Sequence, residues 1–208
     1  MLLMKNLTLS NMVQSIENLT HLISKLPGIG PRQAKRIVYF LLSEDQDYLS
    51  SLSDEIKTLK KHVKICQESF AYFHSEDPKE TLHPIMREGT RDKELLMIVE
   101  KDTDLESVEK SGLYHGRYFV LGGNLPVVEK DPQNRIRLKE LKDYLKKHKP
   151  KEVILAMNAN PEGDNTADFL KGELEVPKIS ILGRGFSTGT EIEYSDKETL
   201  SSALRNRK

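Results

Sequence analysis

The sequence predicts a mixed α/β chain: a helical N-terminal region, a small loop-rich insert, and a C-terminal, mostly parallel sheet flanked by helices. Three observations carry this. Apolar residues recur at helical spacing as far as about residue 64, regular patterning lapses between residues 66 and 94, and from Leu95 onward short apolar runs alternate with amphipathic stretches. The corresponding segments are 1–64, 65–94, 95–182 and 183–208.

Residues 11–42 read as two helices around a tight turn. Ile16, Leu19, Leu22, Ile23 and Leu26 share one face, and Ile37, Val38, Leu41 and Leu42 repeat the pattern beyond Pro27-Gly28-Ile29-Gly30-Pro31. Pro31 suits a first helical position, where its missing N–H costs nothing. A further helical stretch covers 43–64, with Ser53 or Asp54 as candidate N-cap. Residues 66–94 carry prolines, a glycine and many charges, with His62, His74 and His83 in and beside them. Leu95–Glu100, Tyr118–Leu121, Val153–Met157 and Lys178–Leu182 have the texture of buried strands. Helices are expected over Thr103–Ser111 (capped by Asp102 or Thr103), Arg137–Lys147, Gly163–Lys171 and Lys197–Leu204.

Composition excludes several classes. Hydrophobic residues at 37% and charged residues at 31% describe a globular chain rather than a disordered one. No apolar run approaches the roughly 18 residues that span a bilayer, and the opening Met1–Leu7 is too polar for a signal-peptide core, so a cytoplasmic protein is expected. The single cysteine, Cys66, excludes an intramolecular disulfide and a four-cysteine metal site. Lys and Arg together number 32, as do Asp and Glu, so any affinity for nucleic acid must come from a local cationic patch.

One such patch surrounds the first turn. Gly28 and Gly30 allow close backbone approach, the following helix N-terminus favours anions, and Arg32, Lys35 and Arg36 lie on its first turns. Such contacts position a protein on DNA without reading sequence. A second group lies at the expected carboxyl ends of the strands, where open α/β sheets bind ligands. Glu100 ends one strand, Asp102 and Asp104 follow it, and Glu162 and Asp164 follow another. These acids suit a Mg²⁺ site, or the N-capping that Asp102 and Asp164 would provide to their helices. The lysine run 146–151 ends a helix, where cations suit the dipole and water.

The string LPGIGPRQAKR looks like the helix-hairpin-helix of DNA repair proteins. LLMIVEKDTDLESVEKSGLYHGRYFVLGG resembles the opening of the Toprim domain in the RecR family, and EVILAMNANPEGDNTADFL the segment carrying its acidic pair. ISILGRGFSTGTEIEYSDKETLSSAL resembles that family's C-terminal stretch, so the similarity runs through nearly the whole chain in order. The resemblance implies a non-catalytic DNA-binding recombination mediator of the nucleoid. It would form a homo-oligomeric ring, a tetramer, that clamps DNA and works with RecO, and with RecF where present, to load RecA on gapped single-stranded DNA. In that reading Gly28, Gly30, Arg32, Lys35 and Arg36 touch DNA, and the acidic rim holds Mg²⁺ or meets a partner. The alternative is a Toprim-type Mg²⁺-dependent nuclease. The third reading, a nucleotide-hydrolysing switch, fails because the glycine-rich stretch 183–189 lacks the phosphate-binding lysine of a P-loop.

The resemblance also implies a four-cysteine zinc module between hairpin and sheet. Its positions here read Cys66, Ser69, His83 and Met86, and neither serine nor thioether is a useful zinc ligand, so no zinc is expected. Phe70, Tyr72, Phe73, Leu82, Ile85 and Met86 are expected to hold the insert together by packing instead.

Overall fold

The computed structural model describes residues 14–128, 134–183, 185, 186 and 189–205. Residues 1–13, 129–133, 184, 187, 188 and 206–208 lie outside that description. The chain divides into two compact units that meet between Lys61 and His62.

The first unit is helical. Helix α1 covers residues 14–23, α2 Pro31–Ser43, and α3 Gln46–His62, whose end reaches the second unit. Pro31 opens α2, as its fixed φ favours, and Ala34 and Val38 supply its buried face. α3 starts earlier than the sequence indicates. The cap is Asp45, whose Oδ1 accepts from the Tyr48 N–H at 2.8 Å, so neither Ser53 nor Asp54 caps a helix.

The second unit is built on a four-stranded, all-parallel sheet in the order β4-β3-β5-β6. Its strands are β3 Asp92–Val99, β4 Gly116–Val120, β5 Glu152–Ala156 and β6 Lys178–Ile181. Helices α5 (Asp102–Ser111), α6 (Leu138–His148) and α7 (Pro161–Glu173) make the crossovers, and α8 (Lys197–Arg205) follows a short 3₁₀ turn. The alternation of side chains along β3 divides the core in two. Leu96 and Ile98 pack with Phe119, Leu121, Val153 and Leu155 against Leu141, Leu145 and Leu170 of α6 and α7. Met97 and Val99 pack with Tyr118 and Val120 against Leu105 of α5.

The loop-rich insert contains two elements that the sequence pattern does not reveal, the antiparallel strands β1 (Val63–Ile65) and β2 (Tyr72–His74), as well as a single helical turn, α4 (Pro84–Arg87). Between β1 and β2 the chain makes a tight knuckle. The Phe70 N–H donates to the Cys66 carbonyl at 3.0 Å, the Cys66 N–H to the Ala71 carbonyl at 2.8 Å, and Phe70 has a left-handed φ of 58°. This knuckle lies against β4, which has one free edge in the sheet, and the Val120 N–H donates to the Ser69 carbonyl at 2.7 Å. An unpaired parallel edge is a template for aggregation, and the knuckle covers it.

Apolar packing fixes the knuckle in place. Cys66, Phe73 and Met86 are buried in the α6 side of the core, with Phe70 and Leu82 packed on them, while Ala71 and Ile85 join the α5 side. Of the residues expected to form this cluster, Tyr72 alone faces water, at 54% exposure. The four zinc positions do not fit a metal. The Cys66 sulfur accepts from the Ser69 N–H at 3.4 Å, His83 Nδ1 accepts from the Ile85 N–H at 3.1 Å, and the Met86 side chain is part of the core. Burial holds the His83 imidazole below its ordinary pKa despite the nearby Asp102 and Glu109 carboxylates. Among the described residues no group of three or more His, Cys, Asp or Glu is placed to hold a metal ion.

Two predictions follow from these contacts. Dialysis against a chelator leaves the thermal midpoint unchanged, whereas Met86→Ala destabilises by about 2–5 kcal/mol, read from denaturant unfolding. A midpoint that drops on chelation contradicts the packing account. The second concerns His148, stacked on Tyr144 with ring centroids 4.2 Å apart and set between Glu68 and Arg117. Burial lowers its pKa, with Glu68 opposing and Arg117 and Lys147 adding to the shift. A depressed folded pKa means that the unfolded chain binds the proton more readily. Stability from this site is therefore complete above the ordinary histidine range near 6.5 and declines as pH falls below it. His148→Gln flattens the dependence of the unfolding midpoint between about pH 7 and 5.5.

Candidate nucleic-acid interface and acidic rim

The turn between α1 and α2 is built from Leu26 to Gly30. The Ile29 N–H donates to the Leu26 carbonyl at 3.1 Å, and the Ala34 N–H to the Gly30 carbonyl at 2.9 Å. Gly28 has a φ of +76°, which requires glycine in practice. Gly30 is different. As N-cap of α2 it has a φ of −79°, open to any residue, and among the described residues a Cβ there would touch nothing within 4 Å. The fold therefore needs Gly28 for its own conformation and leaves the Gly30 backbone bare beside the helix N-terminus.

Arg32, Lys35 and Arg36 are all exposed on α2. Together with Tyr39 they line one shallow pocket. None of the three cations forms an ion pair among the described residues. The first unit thus presents three unneutralised charges beside a bare glycine backbone, which suits phosphates. Tyr39 is a member that the motif did not single out; its signal was its position one helical turn beyond Lys35 and Arg36.

The acids at the carboxyl ends of the strands divide into separate places. Glu100 is 4% exposed, yet both its oxygens are engaged by one residue. Oε1 accepts from the Asn158 backbone N–H at 2.8 Å and Oε2 from the Asn158 side-chain amide at 2.7 Å. Asp102 is the first residue of α5 rather than its cap, and its Oδ1 accepts from the Tyr72 N–H of β2 at 2.6 Å. Asp104 reaches back to the Lys101 N–H at 3.1 Å. Glu162 and Asp164 occupy the exposed first turn of α7, which begins two residues before the expected Gly163. Its cap is Asn160, whose side chain accepts from the Gly163 N–H at 2.7 Å, so Asp164 is no N-cap either.

Glu100 and Asp102 line a cleft with Tyr72, Gly122, Arg137 and Asn158. Glu162 lines another, with Pro126, Val127 and Val128. The Arg137 guanidinium closes the first cleft on one side, donating to the Val120 carbonyl at 2.8 Å and lying 5.3 Å over the Phe70 ring. Mg²⁺ keeps several waters and is held by one or two carboxylates that point into the same space. Here Glu100 is held by Asn158, Asp102 and Asp104 accept from backbone N–H groups, and Glu162 faces another cleft, so the five acids are not gathered at one point.

Three family models match the helical region, the sheet region and the C-terminal stretch of the chain. A Toprim domain model matches residues 94–182, a RecR helix-hairpin-helix model matches 16–60, and a RecR C-terminal model matches 187–208. The recombination protein RecR of Dehalococcoides mccartyi is 35% identical over 207 residues, covering 98% of each chain. That of Desulfatibacillum aliphaticivorans is 36% identical over 195 residues, covering 93% of this chain and 96% of its own. That of Neorickettsia sennetsu is 35% identical over 199 residues, covering 95% and 99%.

The buried carboxylate yields a test. Glu100→Ala removes the acceptor of two Asn158 hydrogen bonds and destabilises by about 1–3 kcal/mol, Glu100→Gln by less, and millimolar Mg²⁺ does not raise the wild-type unfolding midpoint. A Mg²⁺-dependent rise that Glu100→Gln removes would overturn this assignment.

Proposed function

The chain belongs to the RecR family of recombination proteins, and from that premise we propose that it acts in recombinational DNA repair as a non-catalytic DNA-binding mediator. The observation that carries the proposal is the triad Arg32, Lys35 and Arg36, exposed and without ion-pair partners among the described residues, beside the bare backbone of Gly30. Phosphates bound there are gripped by charge and by helix N–H groups, which gives affinity without sequence preference.

Assembly into a ring that clamps DNA is part of the proposal. Its support is that no residue of α3 is buried, while Ile56 and Leu59 are exposed at 65% and 60% on one stripe. An amphipathic helix with its apolar stripe in water calls for a partner, and a second copy supplies one. The exposed acids Glu162 and Asp164 then serve as a docking surface for basic residues of RecO, and of RecF where present, in loading RecA on gapped single-stranded DNA. The nuclease alternative needs a carboxylate cluster, which the arrangement around Glu100 does not favour.

No helix among the described residues is long and apolar enough to cross a membrane, and a place at the nucleoid in the cytoplasm belongs to the same proposal.

A salt series tests the hairpin. Wild-type affinity for DNA falls linearly on a log–log plot, and Arg32→Glu/Arg36→Glu loses most binding and lowers the slope by roughly 2. A double variant that binds as wild type removes the basis of the proposal.

A further inference from the structure

We infer that Tyr39 is a stacking platform for a DNA base, so that the hairpin face prefers single-stranded over duplex DNA. This rests on the reading that Arg32, Lys35 and Arg36 hold DNA.

The helix α2 has a core face and an exposed face. Successive residues turn by about 100°. The buried residues Ala34 and Val38 mark the core side, and Arg32, Arg36 and Tyr39 fall on the opposite side, with Lys35 beside them. A tyrosine there has no core to join, and it is 53% exposed. The neighbouring aromatic residue has a packing role: Phe40 meets Tyr48 of α3 edge-on, with ring centroids 6.3 Å apart. Tyr39 has no such ring partner among the described residues. It shares its pocket with the three cations alone.

Cations that grip phosphates next to an exposed aromatic ring are the components of single-strand recognition. Arg32 and Tyr39 lie seven residues apart on the helix, roughly 10 Å along its axis. That length lets one strand place consecutive phosphates on Arg32, Lys35 and Arg36 and turn a base onto the Tyr39 ring. Every base has a π-face, so the contact is indifferent to sequence. In a duplex the bases are stacked on one another, and the same face can use only its phosphate contacts.

The experiment compares full-length wild type with Tyr39→Ala, Tyr39→Phe and Arg32→Glu/Arg36→Glu on single-stranded and duplex DNA of equal length. Tyr39→Ala is expected to lower single-strand affinity by about tenfold, with duplex affinity within about twofold of wild type. Tyr39→Phe, which keeps the ring, restores single-strand binding. The chain has no tryptophan, so Tyr39→Trp supplies a single-site probe whose emission is quenched by single-stranded DNA and little by duplex.

If Tyr39→Ala changes both affinities equally or neither, while the double arginine variant loses both, the platform is wrong and the hairpin reading survives. If the double variant binds normally, the hairpin reading itself falls. A loss in Tyr39→Ala accompanied by a changed assembly mass in light scattering places the ring at a subunit contact and overturns the proposal.

Discussion

Both oxygens of Glu100 accept hydrogen bonds from one residue, Asn158, and the carboxyl end of the sheet is organised around that pair. The contact joins the end of β3 to the segment leaving β5, two adjacent parallel strands. A buried carboxyl group is costly unless its oxygens are hydrogen-bonded, and here a backbone N–H and an amide satisfy them. The same turn continues into α7. Gly163 packs so closely on Asn158 that a Cβ would run into its carbonyl oxygen, and Asn160 caps the helix just before it. The position of Glu162 and Asp164 therefore follows from how Glu100 is held.

The other end of the sheet order depends on packing. β4 would present an open edge without the knuckle, and the knuckle keeps its place through Cys66, Phe73 and Met86 in the core and one hydrogen bond from Val120 to Ser69. Asp102 adds a tie from α5 to the Tyr72 N–H. A bidentate ion pair of Arg91 with Glu109, at 2.9 and 2.6 Å, anchors the segment that leads into β3. Packing can serve this purpose because the insert's task is to cover an edge with apolar surface.

Much of this was legible in the sequence. The apolar runs at 95–100, 118–121, 153–157 and 178–182 mark four strands; in β3 and β4 they do so because parallel strands buried on both faces read as continuous hydrophobic stretches, whereas the edge strand β6 is only partly covered. The hairpin was legible from two glycines and a proline in fixed order. The strands β1 and β2 were not, since three-residue strands leave no periodicity to detect. Asp102 and Asp164 were misplaced as caps because an acid before a helix and an acid within its first turn look alike in sequence, whereas Ser53 and Asp54 lie inside α3, whose cap is Asp45. Nor could spacing show that Glu100 is engaged by an asparagine 58 positions away.

We propose a protein that binds DNA through charge on its helical unit and uses the acids of its sheet for structure and docking rather than chemistry. The measurement that tests this most directly is incubation of the intact protein with gapped and supercoiled DNA, with Mg²⁺ or Mn²⁺, following binding and strand integrity in the same samples. The account predicts complexes that form and dissolve with salt while every strand stays whole. Metal-dependent nicking that disappears in Glu100→Gln would contradict it.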